Sequence, residues 1–180
     1  NIISTVPATT ADGRTTSQFQ NIGELDVTGI QATADYSYKN FNFYANYSFT
    51  NPINTKDDEG TSDKRVADIA SHRINMGVNG YFFDGLNVNL RMNYVGARET
   101  GPGTTAPGNP LSQIDAYAVF NSTISYTSKY LSGVTLQLVV NNVFDTEYFH
   151  PGIREADGTT YSPYLPQNTR TISGRMILRF

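Results

Sequence analysis

The chain has 180 residues and a net charge of −3, and only 16% of its residues are charged, compared with roughly 25% in ordinary soluble domains. It contains no Cys, which excludes disulfides, zinc–thiolate sites and thiol nucleophiles from this chain. It has no run rich in Lys or Arg, so the sequence offers no electrostatic surface for nucleic acid. No segment reaches the roughly 18 consecutive apolar residues of a membrane-spanning helix. That criterion does not detect β-barrels, whose apolar residues alternate with polar ones.

The elements predicted along the chain are β-strands, because apolar and polar residues alternate with a period of two. In FNFYANYSFT, residues 41–50, Phe, Ala and Tyr alternate with Asn, Tyr, Ser and Thr. At about 10 to 13 residues these strands exceed the usual five or six, and about 9 to 11 tilted residues span a hydrocarbon layer. The seven predicted strands cover residues 27–38, 41–50, 72–83, 86–94, 114–126, 134–145 and 169–180.

The predicted connections alternate between short turns and long loops. The short turns are at residues 39–40, 83–85 and 127–133. The long loops are rich in Gly, Pro, Asp and Thr and are at residues 51–70, 99–113 and 150–168. Short turns on one rim and long loops on the other are typical of outer-membrane barrels.

The composition of the two strand faces favours a membrane barrel over a soluble β-sandwich. The polar face is rich in Asn, Ser and Thr, which suits a water-filled or plugged lumen better than a soluble surface. Several tyrosines lie near predicted strand ends, where amphipathic rings favour the membrane interface. They are Tyr36, Tyr38, Tyr47, Tyr94 and Tyr126. Because a spanning sheet must close to pair its backbone groups, an odd set of seven strands predicts part of a larger barrel.

Three segments together resemble the C-terminal part of the TonB-dependent outer-membrane receptors. NIGELDVTGIQATADYSY, residues 21–38, resembles a family strand, with Gln31 in place of the usual Glu. VNNVFDTEY, residues 140–148, resembles the family's NLFDxxY segment, and LPQNTRTISGRMILRF, residues 165–180, resembles its closing stretch. The family-motif positions are Gly29, Asn142, Phe144, Asp145, Pro166 and Arg170.

The resemblance implies an all-β fold, a transmembrane antiparallel up-and-down β-barrel of 22 strands with an N-terminal plug. Residues 1–180 would then be the C-terminal part of the barrel, with a strand end and an external loop over 1–20 and the last seven strands over 21–180. The plug would lie outside this chain. The resemblance also implies a multi-pass protein of the bacterial outer membrane, with its short turns periplasmic and its long loops extracellular.

For function, the resemblance implies TonB-dependent uptake of a scarce solute, most often a ferric siderophore, without a cofactor and without enzymatic activity. The implied partners are the rest of the barrel and plug, the TonB energy-transducing complex, the outer-membrane assembly machinery, the solute and membrane lipid. The alternative is a passive porin, although the facing rows of acids and bases typical of a porin constriction are sparse here. A membrane-embedded hydrolase is disfavoured because the sequence has no HExxH or GxSxG motif.

The candidate ligand-binding residues are Arg98, His150 and Arg154. A basic residue such as Arg98 can attract an anionic iron–siderophore complex, or it can pair with a group of the lumen or plug. His150 is either a haem ligand or an ordinary loop residue, and the FRAP…NPNL signature of the family's haem receptors is absent. The last strand ends in Met176, Leu178 and Phe180, and this alternating end resembles the signal that the outer-membrane assembly machinery recognises.

Overall fold

The computed structural model of the chain describes residues 2–57, 65–83, 85–101, 103–131, 133–153 and 156–179. All regular secondary structure in these ranges is β-strand. Among the described residues, no helix is long and apolar enough to cross a membrane.

Fourteen strands follow one another in the part of the chain that the structure describes. They are β1 (Ile2–Thr9), β2 (Thr15–Tyr38), β3 (Phe41–Asp57), β4 (His72–Tyr81), β5 (Leu86–Val95), β6 (Arg98–Glu99), β7 (Thr105–Ala106), β8 (Asn109–Pro110), β9 (Gln113–Ile114), β10 (Tyr117–Thr127), β11 (Val134–Asn141), β12 (Phe149–Pro151), β13 (Tyr164–Pro166) and β14 (Thr171–Leu178). Eight of them form one sheet in the order β1-β2-β3-β4-β5-β10-β11-β14, and the others pair as β6–β9, β7–β8 and β12–β13. All pairs in the large sheet are antiparallel.

Each of the seven predicted strands belongs to the large sheet, and β1 is its eighth member. The region expected to hold a strand end and an external loop, residues 1–20, is mostly strand where the structure describes it, because Thr9 of β1 pairs with Thr15 of β2 across a short turn. This stretch is polar on both faces, so it lacks the alternation that identifies a strand, although β-branched Thr favours extended backbone. With 24 residues, β2 is about twice as long as a hydrocarbon layer requires.

The strand predicted over residues 134–145 ends at Asn141, four residues earlier than expected. The cause is local backbone geometry, since Asn142 has φ of 52° and Asp145 has φ of 58°. This left-handed conformation interrupts a strand, and Asn and Asp adopt it more readily than most residues.

The strand register gives the large sheet one apolar and one polar face. A row on the apolar face runs across β2, β3, β4, β5 and β10, because each member lies directly opposite the next. It consists of Ala34, Ala45, Met76, Met92 and Phe120. Since successive strand residues point to opposite faces, the alternation in the sequence becomes two continuous surfaces.

The polar face is connected by hydrogen bonds between Asn side chains. Asn93 donates to Asn75 across β5 and β4, and Asn121 Nδ2 donates to Asn93 Oδ1 at 3.5 Å. The same Asn121 accepts the backbone N–H of Asn142 at 3.1 Å, while Asn87 Nδ2 donates to Asn79 Oδ1 at 3.0 Å. Asn93 and Asn121 each both donate and accept, so these amides link neighbouring strands through uncharged groups.

A close approach of Tyr44 to Gly77 fixes β3 against β4 on the polar face. The two residues lie directly opposite each other. A Cβ atom added to Gly77 would meet Tyr44 Cε1 at 2.7 Å and the backbone oxygen of Leu90 at 2.7 Å. The aromatic ring therefore occupies the space that any other residue would need for its side chain, an arrangement that also shields a strand glycine.

We expect Gly77→Ala to lower the free energy of unfolding of the full-length protein in lipid by about 1–3 kcal/mol, because the added methyl group displaces Tyr44 or the β5 backbone. Gly174→Ala in β14 is the control, since nothing lies within 4 Å of its Cβ position. It should leave stability within about 1 kcal/mol of the parent. Urea titration of both variants tests this, and equal effects would contradict the proposed close approach.

Candidate functional site

The long connections between strands meet at one rim of the sheet. Short turns follow β2, β4 and β10, so the connections that follow β3, β5 and β11 emerge at the opposite end of the antiparallel sheet. The second and third of these connections contain the small strand pairs β6–β9, β7–β8 and β12–β13. They also contact each other, since the N–H of Thr105 donates to the backbone oxygen of Ala156 at 2.8 Å.

Two predicted candidates, Arg98 and His150, come together at this rim around Tyr117. Arg98 of β6 is only 7% exposed, and its Nη2 donates to the backbone oxygen of Phe149 at 2.8 Å. Its guanidinium lies 5.7 Å from the centre of the Tyr117 ring, within the range of a cation–π contact. The hydroxyl of Tyr117 is 3.0 Å from His150 Nε2, and the two rings stack at 5.9 Å. We call Arg98, Tyr117, Tyr148 and His150 the rim cluster.

The charge state of the rim cluster follows from its burial. Burial lowers the pKa of Arg98, but a guanidinium in a protein stays protonated. Burial, and secondly the neighbouring positive charge of Arg98, lower the pKa of His150 below its usual value. The imidazole is therefore neutral at neutral pH, so one of its nitrogens can accept the hydrogen of the Tyr117 hydroxyl.

The rim cluster makes Arg98 a structural link between loops rather than an exposed contact for an anion. Its side chain connects β6 to β12 and covers Tyr117, and its Nε atom is buried without a hydrogen-bond partner among the described residues. His150 is half-buried and held by Tyr117. The third candidate, Arg154, lies outside the described residues.

A cavity of about 220 Å³ opens beside the rim cluster. Tyr117 and Tyr148 contribute two rings whose centres are 4.5 Å apart. Tyr164, Asp115 and Glu147 also line it. Sequence reasoning did not select Asp115, Tyr117, Glu147 or Tyr164. The available signal was their position at the ends of predicted strands on the long-loop rim, where loops converge on one site.

The family-motif residue Asn142 clamps the base of the connection between β11 and β14. It is 2% exposed, and its Nδ2 donates to the backbone oxygens of Thr146 at 2.8 Å and Asn168 at 3.3 Å. Its Oδ1 accepts the N–H of Thr146 at 2.9 Å. One amide thus satisfies backbone groups on both legs of the loop, which removes the cost of leaving them buried and unpaired.

Asp145 and Arg170 add a second link between the same two legs. Asp145 Oδ1 accepts the backbone N–H of Arg170 at 2.7 Å, and the two side chains approach to 3.8 Å. Further along the loop, the N–H of Gln167 donates to the backbone oxygen of Tyr148 at 3.1 Å. These links fix the position of the segment that brings Tyr148 and His150 to the rim cluster.

The other motif positions have separate structural surroundings. The ring of Phe144 packs edge-on against Phe120 on the apolar face, with 5.1 Å between centres. A Cβ atom at Gly29 would lie 2.6 Å from the backbone oxygen of Phe49, so this position permits close approach of β3. Pro166 pairs with Phe149 in the β12–β13 hairpin.

Two of the three predicted assembly-signal residues lie on the apolar face of β14. Met176 is opposite Leu136 and Leu178 is opposite Val134, and both are exposed. The third, Phe180, lies outside the described residues.

A larger groove of about 560 Å³ crosses the apolar face between Tyr36, Met76 and Phe120. Its lining is almost entirely apolar. Such a surface suits lipid chains, and it lacks the few well-placed polar groups that fix the orientation of a specific ligand.

We expect Asn142→Ala to open the loop base, because it leaves buried backbone groups unpaired and places Ala at positive φ. Amide exchange at Gln167 should become faster, by an amount equivalent to about 1–3 kcal/mol of local stability. Asn141→Ala is the control, since Asn141 is exposed and makes one hydrogen bond, to Thr171. Unchanged exchange at Gln167 in the Asn142 variant would contradict the clamp.

The family model described as "TonB dependent receptor-like, beta-barrel" matches residues 1–143. Curated protein sequences gave no significant match.

The fold resembles several solved structures. They include the ferric yersiniabactin uptake receptor FyuA from Yersinia pestis (22% identity, TM-score 0.70, 91% of this chain and 25% of that one), the ferric-catecholate import receptor Fiu from K12 E. coli (18%, 0.70, 97% and 23%) and the copper transporter OprC (17%, 0.66, 99% and 27%). The chain therefore spans about a quarter of the length of these proteins.

The family match covers most of the chain, and the antiparallel sheet agrees with it. Membership of this family implies a location in the bacterial outer membrane. The chain belongs to the TonB-dependent receptor family and forms part of its β-barrel.

Proposed function

We propose that the full protein takes up a scarce solute across the outer membrane by TonB-dependent transport. The observation that supports this most strongly is the match of residues 1–143 to the receptor barrel family. The amide-rich face of the sheet also supports it, because a plugged lumen needs a wet surface on which hydrogen bonds can rearrange. In this proposal the rest of the barrel, a plug and the TonB complex are partners of the chain.

The proposed solute is a ferric siderophore. FyuA and Fiu import ferric complexes, whereas OprC transports copper, so the shared fold alone does not select the solute. The rim cluster adds a local argument, since aromatic rings and hydrogen-bonding groups at one loop rim suit a bulky organic chelate better than a bare ion. The long connections face the outside in this proposal, and the short turns face the periplasm.

Uptake of radioactive iron by cells producing the full-length receptor tests the proposal. Cells receive the metal as a ferric catecholate, a ferric hydroxamate or ferric citrate, and we expect accumulation of at least one complex that saturates with concentration. Deletion of TonB or addition of a protonophore should abolish it, because the transport needs energy. Accumulation of the solute that persists without TonB and rises linearly with concentration would contradict active uptake and favour a porin.

We also propose that Phe180, with Leu178 and Met176, forms the signal for the outer-membrane assembly machinery. The supporting observation is that Met176 and Leu178 lie on the exposed apolar face of β14, where an assembly factor can reach them. Deleting Phe180 should reduce the amount of receptor at the cell surface several-fold, while protein refolded in detergent keeps its thermal stability. Equal surface amounts with and without Phe180 would contradict the proposal.

A further inference from the structure

The accessible charges of the rim cavity are negative. Asp115 and Glu147 both line it and both are exposed. Within the part of the chain that the structure describes, neither carboxylate forms an ion pair or a side-chain hydrogen bond. Both carboxylates are therefore available to a positive group of a ligand.

Arg98, which covers the lining residue Tyr117, forms no ion pair with these carboxylates. Arg98 lies under Tyr117, is only 7% exposed and donates to the backbone of Phe149. His150 is neutral at neutral pH because burial lowers its pKa. Among the described residues, the carboxylates of Asp115, Glu147 and Asp68 outnumber the guanidiniums of Arg98 and Arg73 around the rim cluster, so the opening of the cavity has a negative potential.

The aromatic walls of the cavity point to the same kind of ligand. Tyr148, Phe149 and Tyr164 line it, and the rings of Phe149 and Tyr164 are 5.3 Å apart. The negative faces of aromatic rings attract cations, and quaternary ammonium groups are recognised in cages of such rings. Arg98 already covers Tyr117, so the rings of β12, β13 and Tyr148 are the ones available to a ligand.

The size of the cavity limits it to one chemical group. Its volume of about 220 Å³ is below the roughly 300–1,000 Å³ of sites that hold a whole drug-sized ligand. A single alkylammonium or guanidinium head group fits such a space, whereas an entire metal chelate does not.

We propose that this cavity is a subsite for a cationic group, an alkylammonium or guanidinium, on the solute that the receptor takes up. Glu147 and Asp115 supply the opposite charge, and Tyr148, Phe149 and Tyr164 supply the aromatic walls. This inference rests on the proposed uptake function, and it assigns the contact with the solute's charge to Glu147 and Asp115 and not to Arg98. The solute's metal-binding part remains outside the cavity, and its cationic arm enters it.

Saturation-transfer NMR on the purified full-length receptor tests the subsite without requiring transport. The probes are tetramethylammonium and the uncharged tert-butanol, which have similar shapes. We expect saturation transfer to tetramethylammonium only, and an affinity loss of about threefold or more for Glu147→Gln and for Asp115→Asn. Glu99→Gln is the matched control, because Glu99 lies at the same rim and is exposed but does not line the cavity. Equal transfer to the two probes, or unchanged affinity in both cavity variants, would overturn the subsite.

A transport experiment then separates failure of the subsite from failure of the proposed function. Cells are given a ferric hydroxamate with a free terminal ammonium group or its N-acetylated form, which has lost that charge. We expect TonB-dependent uptake to favour the ammonium form several-fold, and Glu147→Gln to remove the preference. TonB-dependent uptake of the two forms at equal rates would overturn the proposed subsite but would still support the proposed uptake function. If tetramethylammonium binds but no complex is taken up in a TonB-dependent way, the proposed uptake function is overturned. The cavity would then still be a binding site for cations.

Discussion

The register between neighbouring strands determines everything else in this structure. Ala45 lies between Ala34 and Met76, and Asn75 lies between Asn46 and Asn93. A slip of one residue at any of these pairs would place amides on the apolar face and apolar groups among the amides. The hydrogen bonds between Asn side chains and the tyrosine ring over Gly77 both require this register, so they resist such a slip.

The rim cluster depends on the sheet because its members lie where strands end. Tyr117 is the first residue of β10, so the sheet fixes its backbone while its ring points toward the loops. Arg98 and His150 reach it from two different connections, and the Asn142 amide holds one of those connections at its base. The cavity beside Tyr148 is therefore formed in advance, which reduces the entropy that a ligand loses on binding.

The sequence predicted the strands well wherever one face is apolar. The alternation identified seven of the eight strands of the large sheet, because a sheet with one apolar and one polar face imposes a period of two on its strands. It missed the β1–β2 hairpin, where Thr15 and its neighbours are polar on both sides. It also extended β11 through Asn142, because a left-handed residue leaves no mark in the hydrophobic pattern.

The candidate site was harder to predict than the fold. Arg98 and His150 were each selected for their own chemistry, but 51 residues separate Arg98 from its partner Phe149, and no local pattern indicates such a contact. In the sequence, Asp115 and Glu147 look like ordinary loop carboxylates. Only the folded structure shows that both line the same cavity. The sequence left open whether Arg98 attracts an anion or pairs with another group of the protein, because burial, which decides which charges a solute can reach, is not visible in the sequence.

The central claim is that one face of the sheet contacts lipid and the other contacts the lumen. Neighbouring residues of β5 test it most directly, because Leu90 pairs with Val78 and Asn89 pairs with Asn79 at nearly the same depth. The free energy of unfolding of the full-length receptor in lipid should fall by about 2–4 kcal/mol for Leu90→Arg and change little for Asn89→Arg. Equal losses for the two variants, or a larger loss for Asn89→Arg, would contradict the account.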